Sequence, residues 1–150
     1  MQLPPPPYDA DIADKITQLD LFSIRRRLIE REGWSIHRVN TAENEYRRFL
    51  YLVATNPGDT IVPLSEDMDE YWHAHILDTA QYERDCMQLF GHTLHHDPRI
   101  AEDPEHHVAA RERTESLCKQ FKPKRRGWFS SQADLAPWWY PAPGSITPSN

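Results

Sequence analysis

The chain has 150 residues, of which 39% are apolar and 27% charged, and its formal net charge is -6. This composition predicts a single globular domain and excludes a disordered chain, and the negative charge disfavours nucleic acid, which attracts proteins through positive fields. No apolar run approaches the roughly 20 residues of a membrane helix, and the first residues lack the basic and apolar segments of a secretory signal. We therefore expect a cytoplasmic protein without membrane contact.

Residues 9–31 show two helical stripes of apolar side chains that are slightly out of phase. A break near Asp20, with Asp20 capping a second helix, explains the change of phase, and Gly33 is the expected stop. The two stripes are formed by Ile12, Ile16 and Leu19 and by Leu21, Ile24 and Leu28.

Asn40 and Glu43 have the spacing of a capping box, which predicts a helix from there to about Ala54. Residues 56–59 form a turn sequence, and residues 60–63 are a short extended link that is too brief to predict a sheet.

Ser65 is the expected cap of the next helix, which passes through Trp72 and His75. Asp78 or Thr79 is expected to cap a further segment, which ends at Phe90 and Gly91. Residues 92–102 are expected to form a loop. Asp103 followed by proline is typical of a helix start. The sequence thus predicts an all-α fold, a single compact domain of five or six helices with an irregular proline- and aromatic-rich C-terminal tail.

The expected organisation has three parts. Residues 1–8 form a proline-rich arm, residues 9–121 the helical domain with its histidine-rich centre, and residues 122–150 a basic and aromatic tail. Burial of Trp138 and Trp139 would be strongly favourable, so we expect the tail to pack on the domain. Its aromatic residues are alternatively anchors for a protein partner.

Histidines dominate the middle of the chain, where all but one of the eight lie between His73 and His107. On a helix, residues two apart are separated by about 200°, so His73 and His75 cannot share a face there, although they could on a strand. Asp69 and His73, four apart, do share one. A site that combines these residues with the following loop would have the ligand types of a zinc or non-haem iron centre.

The candidate metal ligands are therefore Asp69, His73, His75, His95 and His96. Trp72, Tyr82, Cys86 and Asp97 are candidates for a supporting role around them. Cys86 is a further possible ligand, but its helical neighbours favour a small buried side chain and, like Cys118, a reduced thiol.

Several motifs with better-defined chemistry are missing, which leaves catalytic residues unassigned. The chain has no His-Glu-x-x-His, no zinc-deaminase signature, no Walker A motif and no serine nucleophile elbow. The alternative to a metal site is a non-catalytic protein–protein interaction module in which the histidines are structural. A weaker third hypothesis is contact with nucleic acid through the basic run at residues 122–126.

The central motif resembles the shared region of glycine-rich domain-containing proteins (the GRDP-like family). The resemblance spans about residues 19–128 and is carried by Asp69, Trp72, His73, His75, Tyr82, Asp85, Cys86, Gly91, His95 and His96. It extends upstream through residues 46–50 and 61–63, and downstream through Arg113, Thr114, Leu117, Phe121 and Trp128. It implies a helical fold and a site that is built from these motif residues. It implies no defined activity, and the family's glycine-rich extension is missing here.

Overall fold

The computed structural model describes residues 9–119, which form six α-helices and one 3₁₀ helix. The α-helices are α1 (Ala10–Thr17), α2 (Phe22–Glu30), α3 (Ile36–Thr55), α4 (Glu66–Leu77), α5 (Thr79–Phe90) and α6 (Pro104–Cys118), and the 3₁₀ helix is Pro98–Glu102. Within this part of the chain there is no β-strand, so the prediction of an all-α fold is confirmed. The arm predicted at residues 1–8 and the tail predicted at residues 122–150 lie outside the described residues.

Local capping chemistry sets most of the helix ends. The side chains of Ser65 and Asp103 accept hydrogen bonds from the backbone N–H groups of Met68 and His106, as expected of N-caps. At the end of α5, Gly91 has a φ of 73°, a left-handed conformation that favours glycine. These predicted boundaries are confirmed.

The predicted start of α3 at Asn40 is wrong, because the helix begins at Ile36. Ser35 is the N-cap, and its hydroxyl accepts from the N–H of Arg38. The Asn40 side chain is instead used in a tertiary contact, accepting from Nη2 of Arg25 at 2.8 Å. The sequence thus contains two possible N-caps for this helix, Ser35 and Asn40. Ser35 caps it, and the Asn40 side chain binds Arg25 of α2 instead.

Two other predicted boundaries need adjustment. Leu21 occupies the N-cap position of α2, although Oδ1 of Asp20 does accept from the N–H of Phe22 at 3.1 Å, so the predicted break is present. The segment predicted as a loop at residues 92–102 ends in the 3₁₀ helix, because Asp97 caps it by accepting from the N–H of Arg99 and Pro98 fits its first turn.

Helix α3 lies at the centre, in contact with α1, α2 and α4, and α4 also packs against α2 and α5. The core contains large side chains with almost no exposed surface, among them Ile16, Ile24, Tyr46, Leu50 and Tyr71. No helix in residues 9–119 is both long and apolar enough to cross a bilayer.

Helix α6 joins this core through the extended link that precedes α4. The buried hydroxyl of Thr114 accepts from the N–H of Val62 at 3.1 Å, and Leu117 belongs to the hydrophobic core. The link, the start of α4 and α6 therefore lie side by side, and this arrangement forms the walls of the cleft described below.

Candidate metal centre

Helix α4 places one carboxylate and one imidazole on the same outward face. Tyr71 and Trp72 are buried, which turns Asp69 and His73 toward solvent. These two residues are four apart, and Oδ2 of Asp69 lies 3.6 Å from Nε2 of His73. The pairing expected from helical periodicity is present.

The loop after α5 brings a second imidazole to this pair. Nε2 of His96 lies 3.0 Å from Oδ1 of Asp69 and 3.0 Å from Nε2 of His73. One ligand atom from each of the three residues lies within 4.8 Å of the others. The side chains are 27–48% exposed, so the cluster (Asp69, His73 and His96) is open to solvent on one side.

His96 is held in place by the aromatic residues beneath it. Its ring lies 4.4 Å from the Trp72 ring, centroid to centroid. The Trp72 indole N–H donates to the Tyr82 hydroxyl at 3.0 Å, and that hydroxyl donates to the carbonyl of Leu94 at 2.6 Å. Because burial raises the pKa of Tyr82, the hydroxyl keeps its proton and remains a donor to the loop.

His75 lies apart from this cluster, in the core. It is 1% exposed, its Nδ1 lies 2.7 Å from the Tyr46 hydroxyl, and its Nε2 lies 2.8 Å from Oδ2 of Asp85. Both ring nitrogens therefore have partners that join α3, α4 and α5. The predicted separation of His73 and His75 on the helix is present, and it gives the two residues different environments.

The remaining candidates surround the cluster without joining it. His95 is exposed beside His96, and Asp97 forms an ion pair with Arg99 at 3.0 Å. The hydrogen bonds from Arg99 lower the pKa of Asp97. Cys86 is buried near Tyr82 and Leu94, and burial raises its pKa, which favours an inert thiol over a metal-binding thiolate.

Hydrogen bonding alone gives the cluster an awkward arrangement. Nε2 of His96 approaches both Asp69 and His73 at 3.0 Å, yet a neutral imidazole nitrogen is either a donor or an acceptor. Nε2 of His96 can therefore form a good hydrogen bond in only one of these two short contacts. A cation between the three atoms would accept a lone pair from each of them, so the donor set suits a metal ion.

A cleft of about 420 Å³ opens beside the cluster, with Asp69 and His96 among its lining residues. Apolar side chains from the link before α4 and from the 92–100 segment form much of its surface, and α6 contributes His107 and Arg111. Sequence reasoning missed the cleft, because its walls are far apart in the chain. It also missed Tyr46 and Asp85 as partners of His75.

The chain was also compared with known proteins. No curated protein and no solved structure matches it. A model of one protein family, described as UCP032817-like, matches residues 18–124, a span that includes α2 to α6 and all residues of the cluster. Because that match covers more than half of the sequence, the chain belongs to the UCP032817-like family.

Proposed function

We propose that this protein is a metal-binding helical domain in which Asp69, His73 and His96 bind zinc or iron. The observation that carries the proposal is the convergence of three ligand atoms, with both imidazole nitrogens and the carboxylate within 4.8 Å of one another. Two histidines and one carboxylate are a ligand set of non-haem iron sites, and zinc accepts the same atoms.

The spacing of the atoms supports this proposal. Metal–ligand bonds of about 2.1 Å place neighbouring ligand atoms about 3.0 Å apart in octahedral geometry and about 3.4 Å apart in tetrahedral geometry. Nε2 of His96 lies 3.0 Å from Nε2 of His73 and 3.0 Å from Oδ1 of Asp69, whereas the 3.6 Å approach of Asp69 to Nε2 of His73 is made by its other oxygen, Oδ2. Two of the separations therefore already match those around a shared ion, and Asp69 would have to turn one oxygen toward both imidazoles or bind through both of its oxygens.

Three protein ligands leave at least one coordination position for water or another molecule. A metal bound there would lower the pKa of its bound water and would supply a nucleophile for hydrolysis. The solvent-exposed side of the cluster and the adjoining cleft are consistent with such an open position.

The test is metal content by mass spectrometry on untagged protein. We expect near-stoichiometric zinc or iron in the natural chain and its loss in Asp69→Asn, His73→Ala and His96→Ala. His95→Ala is the matched control, because it removes an imidazole from the same loop but outside the cluster. Natural protein without metal would overturn the proposal, and equal loss in His95→Ala and His96→Ala would overturn the assignment of His96.

The alternative function is a non-catalytic interaction module with structural histidines. His75 favours this alternative, because its two hydrogen bonds already give it a structural role in the core. In that case His73→Ala and His96→Ala would lower the melting temperature without any change in metal content. Partner binding would then be expected to depend on the predicted tail at residues 122–150, which truncation after Phe121 would test.

Kinship with the GRDP-like family is a separate proposal. It is supported by the motif residues Trp72, His73, Tyr82 and His96, which here form one continuous set of contacts. A structure of a GRDP-like member would test it. The same tryptophan–tyrosine hydrogen bond beneath the corresponding histidines is the expected result, and a different fold would refute it.

A further inference from the structure

The cleft beside the cluster has the properties of a small-molecule site. Its volume of about 420 Å³ falls within the usual range for ligand pockets, roughly 300–1,000 Å³. Asp69 and His96 line it, so a molecule in the cleft can reach a metal bound by the cluster. His73 is not among the lining residues, which indicates that the approach is from the side of Asp69 and His96.

Much of the lining is apolar and only partly covered by the protein. Half-buried side chains of residues 61–64, the loop and the 3₁₀ helix contribute, together with the buried Trp72. They are Ile61, Pro63, Leu64, Leu94 and Ile100. A ligand with a hydrocarbon body would remove this surface from water, which is favourable at about 25 cal/mol per Å².

The carboxylates that line the cleft leave little unbalanced negative charge to repel an anionic ligand. Two of the lining carboxylates already have cationic partners, since Asp59 pairs with Arg113 at 3.1 Å and Asp97 with Arg99 at 3.0 Å. A third, Glu66, is exposed at the start of α4, where water screens its charge. A divalent metal would neutralise the carboxylate of Asp69.

Arg111 supplies a cation to the cleft from α6. Its Nε lies 3.1 Å from Glu115 and its Nη2 lies 3.4 Å from the carbonyl of Leu64, and the side chain is 46% exposed. A guanidinium group has five N–H donors, so these two contacts leave others for a ligand. Its planar arrangement of donors is suited to carboxylates.

Taking the metal site as given, we propose that the cleft binds a small organic diacid with an apolar body. One carboxylate takes the open position of the metal held by Asp69, His73 and His96. The hydrocarbon part lies along the apolar lining, and the second carboxylate pairs with Arg111. This inference rests on the proposed function and names the ligand class of the same site.

The test is calorimetric titration of zinc-loaded protein with unbranched aliphatic diacids from butanedioate to octanedioate. The monoacid and the primary alcohol of each length serve as matched probes. We expect the best diacid to bind more tightly than its monoacid, and the monoacid more tightly than the alcohol. Zinc content measured before and after each titration shows whether the acid has removed the metal.

Arg111→Gln should lower the affinity for the diacid about tenfold and leave the affinity for the monoacid unchanged, because one charge-assisted contact is lost. Arg26→Gln is the control, since Arg26 is an exposed arginine with a similar partner, Glu30, and does not line the cleft. Circular dichroism checks that both variants remain folded.

The outcomes separate the two proposals. Zinc binding with equal affinity for diacid and monoacid, or an Arg111→Gln variant that matches Arg26→Gln, would overturn the ligand assignment and leave the metal site in place. A chain that binds neither zinc nor iron would overturn the metal site and the ligand assignment with it. Selective loss of diacid binding in Arg111→Gln is the result that supports the proposal.

Discussion

Replacing Tyr82 by phenylalanine tests how the fold positions the metal cluster. The hydroxyl of Tyr82 accepts from the indole of Trp72 at 3.0 Å and donates to the carbonyl of Leu94 at 2.6 Å. The hydroxyl thereby joins Trp72 of the core to the loop that carries His96. The substitution removes this one oxygen and keeps the ring, so no large cavity is formed.

The expected loss of stability follows from the two groups left behind. A buried donor or acceptor without a partner costs about 1–3 kcal/mol. The Trp72 indole is buried, so its N–H would be left without a partner. Leu94 is only half-buried, so its carbonyl can bind water, and its cost lies at the lower end of this range. We therefore expect the free energy of unfolding to fall by about 2–4 kcal/mol, and the melting temperature by roughly 5–12 °C for a domain of this size.

Metal affinity is the second measurement on the same variant. Replacing a residue that orients metal ligands typically lowers metal affinity 10–100-fold, and we expect Tyr82→Phe to lower zinc affinity by a factor in this range. Tyr71→Phe is the matched control, because it removes a buried tyrosine hydroxyl that donates to Glu43 at 2.9 Å, away from the loop. Urea denaturation and competition with a zinc chelator give the two quantities.

The reasoning would be refuted by a stability change below about 0.5 kcal/mol in Tyr82→Phe, which is the level of ordinary surface substitutions. Equal zinc affinities in the two tyrosine variants would also refute it, because the Tyr82 hydroxyl would then have no special role in placing His96.

Three further predictions concern the surroundings of the site. Gly91→Ala should lower the free energy of unfolding by about 1–2 kcal/mol through backbone strain alone, since φ is 73° and no atom lies within 4 Å of the added Cβ; no loss in urea denaturation would contradict this. Asp85→Ala should lower the free energy of unfolding by about 1–3 kcal/mol, because it leaves Nε2 of His75 without a partner. Its metal content should stay unchanged. Loss of metal in this variant would instead make His75 part of the centre. Burial raises the pKa of Cys86, so its contribution to stability is complete below the pKa of the unfolded thiol, about 8.5, and is lost as pH rises toward the folded pKa. Between pH 8 and pH 10 the natural chain should therefore lose more stability than Cys86→Ala, and parallel curves in denaturant titrations would contradict the expectation.

The sequence by itself determined the features that depend on neighbouring residues. The caps at Ser65 and Asp103 and the left-handed Gly91 could be predicted because each satisfies backbone groups or conformations within one helical turn. The shared face of Asp69 and His73 followed from the helical repeat. Asn40 was the instructive failure, since a local capping pattern could not reveal that Arg25 binds this side chain in the folded protein.

The tertiary structure decided which histidines meet. The neighbours His95 and His96 could not be told apart in the sequence, because nothing local fixes the direction of a loop. The Tyr82 hydroxyl and the Trp72 ring fix it, bringing His96 to residues 23 and 27 positions away in the chain. Contacts of this range depend on how α4 and α5 pack, and packing is a property of the whole core that no short stretch of sequence contains.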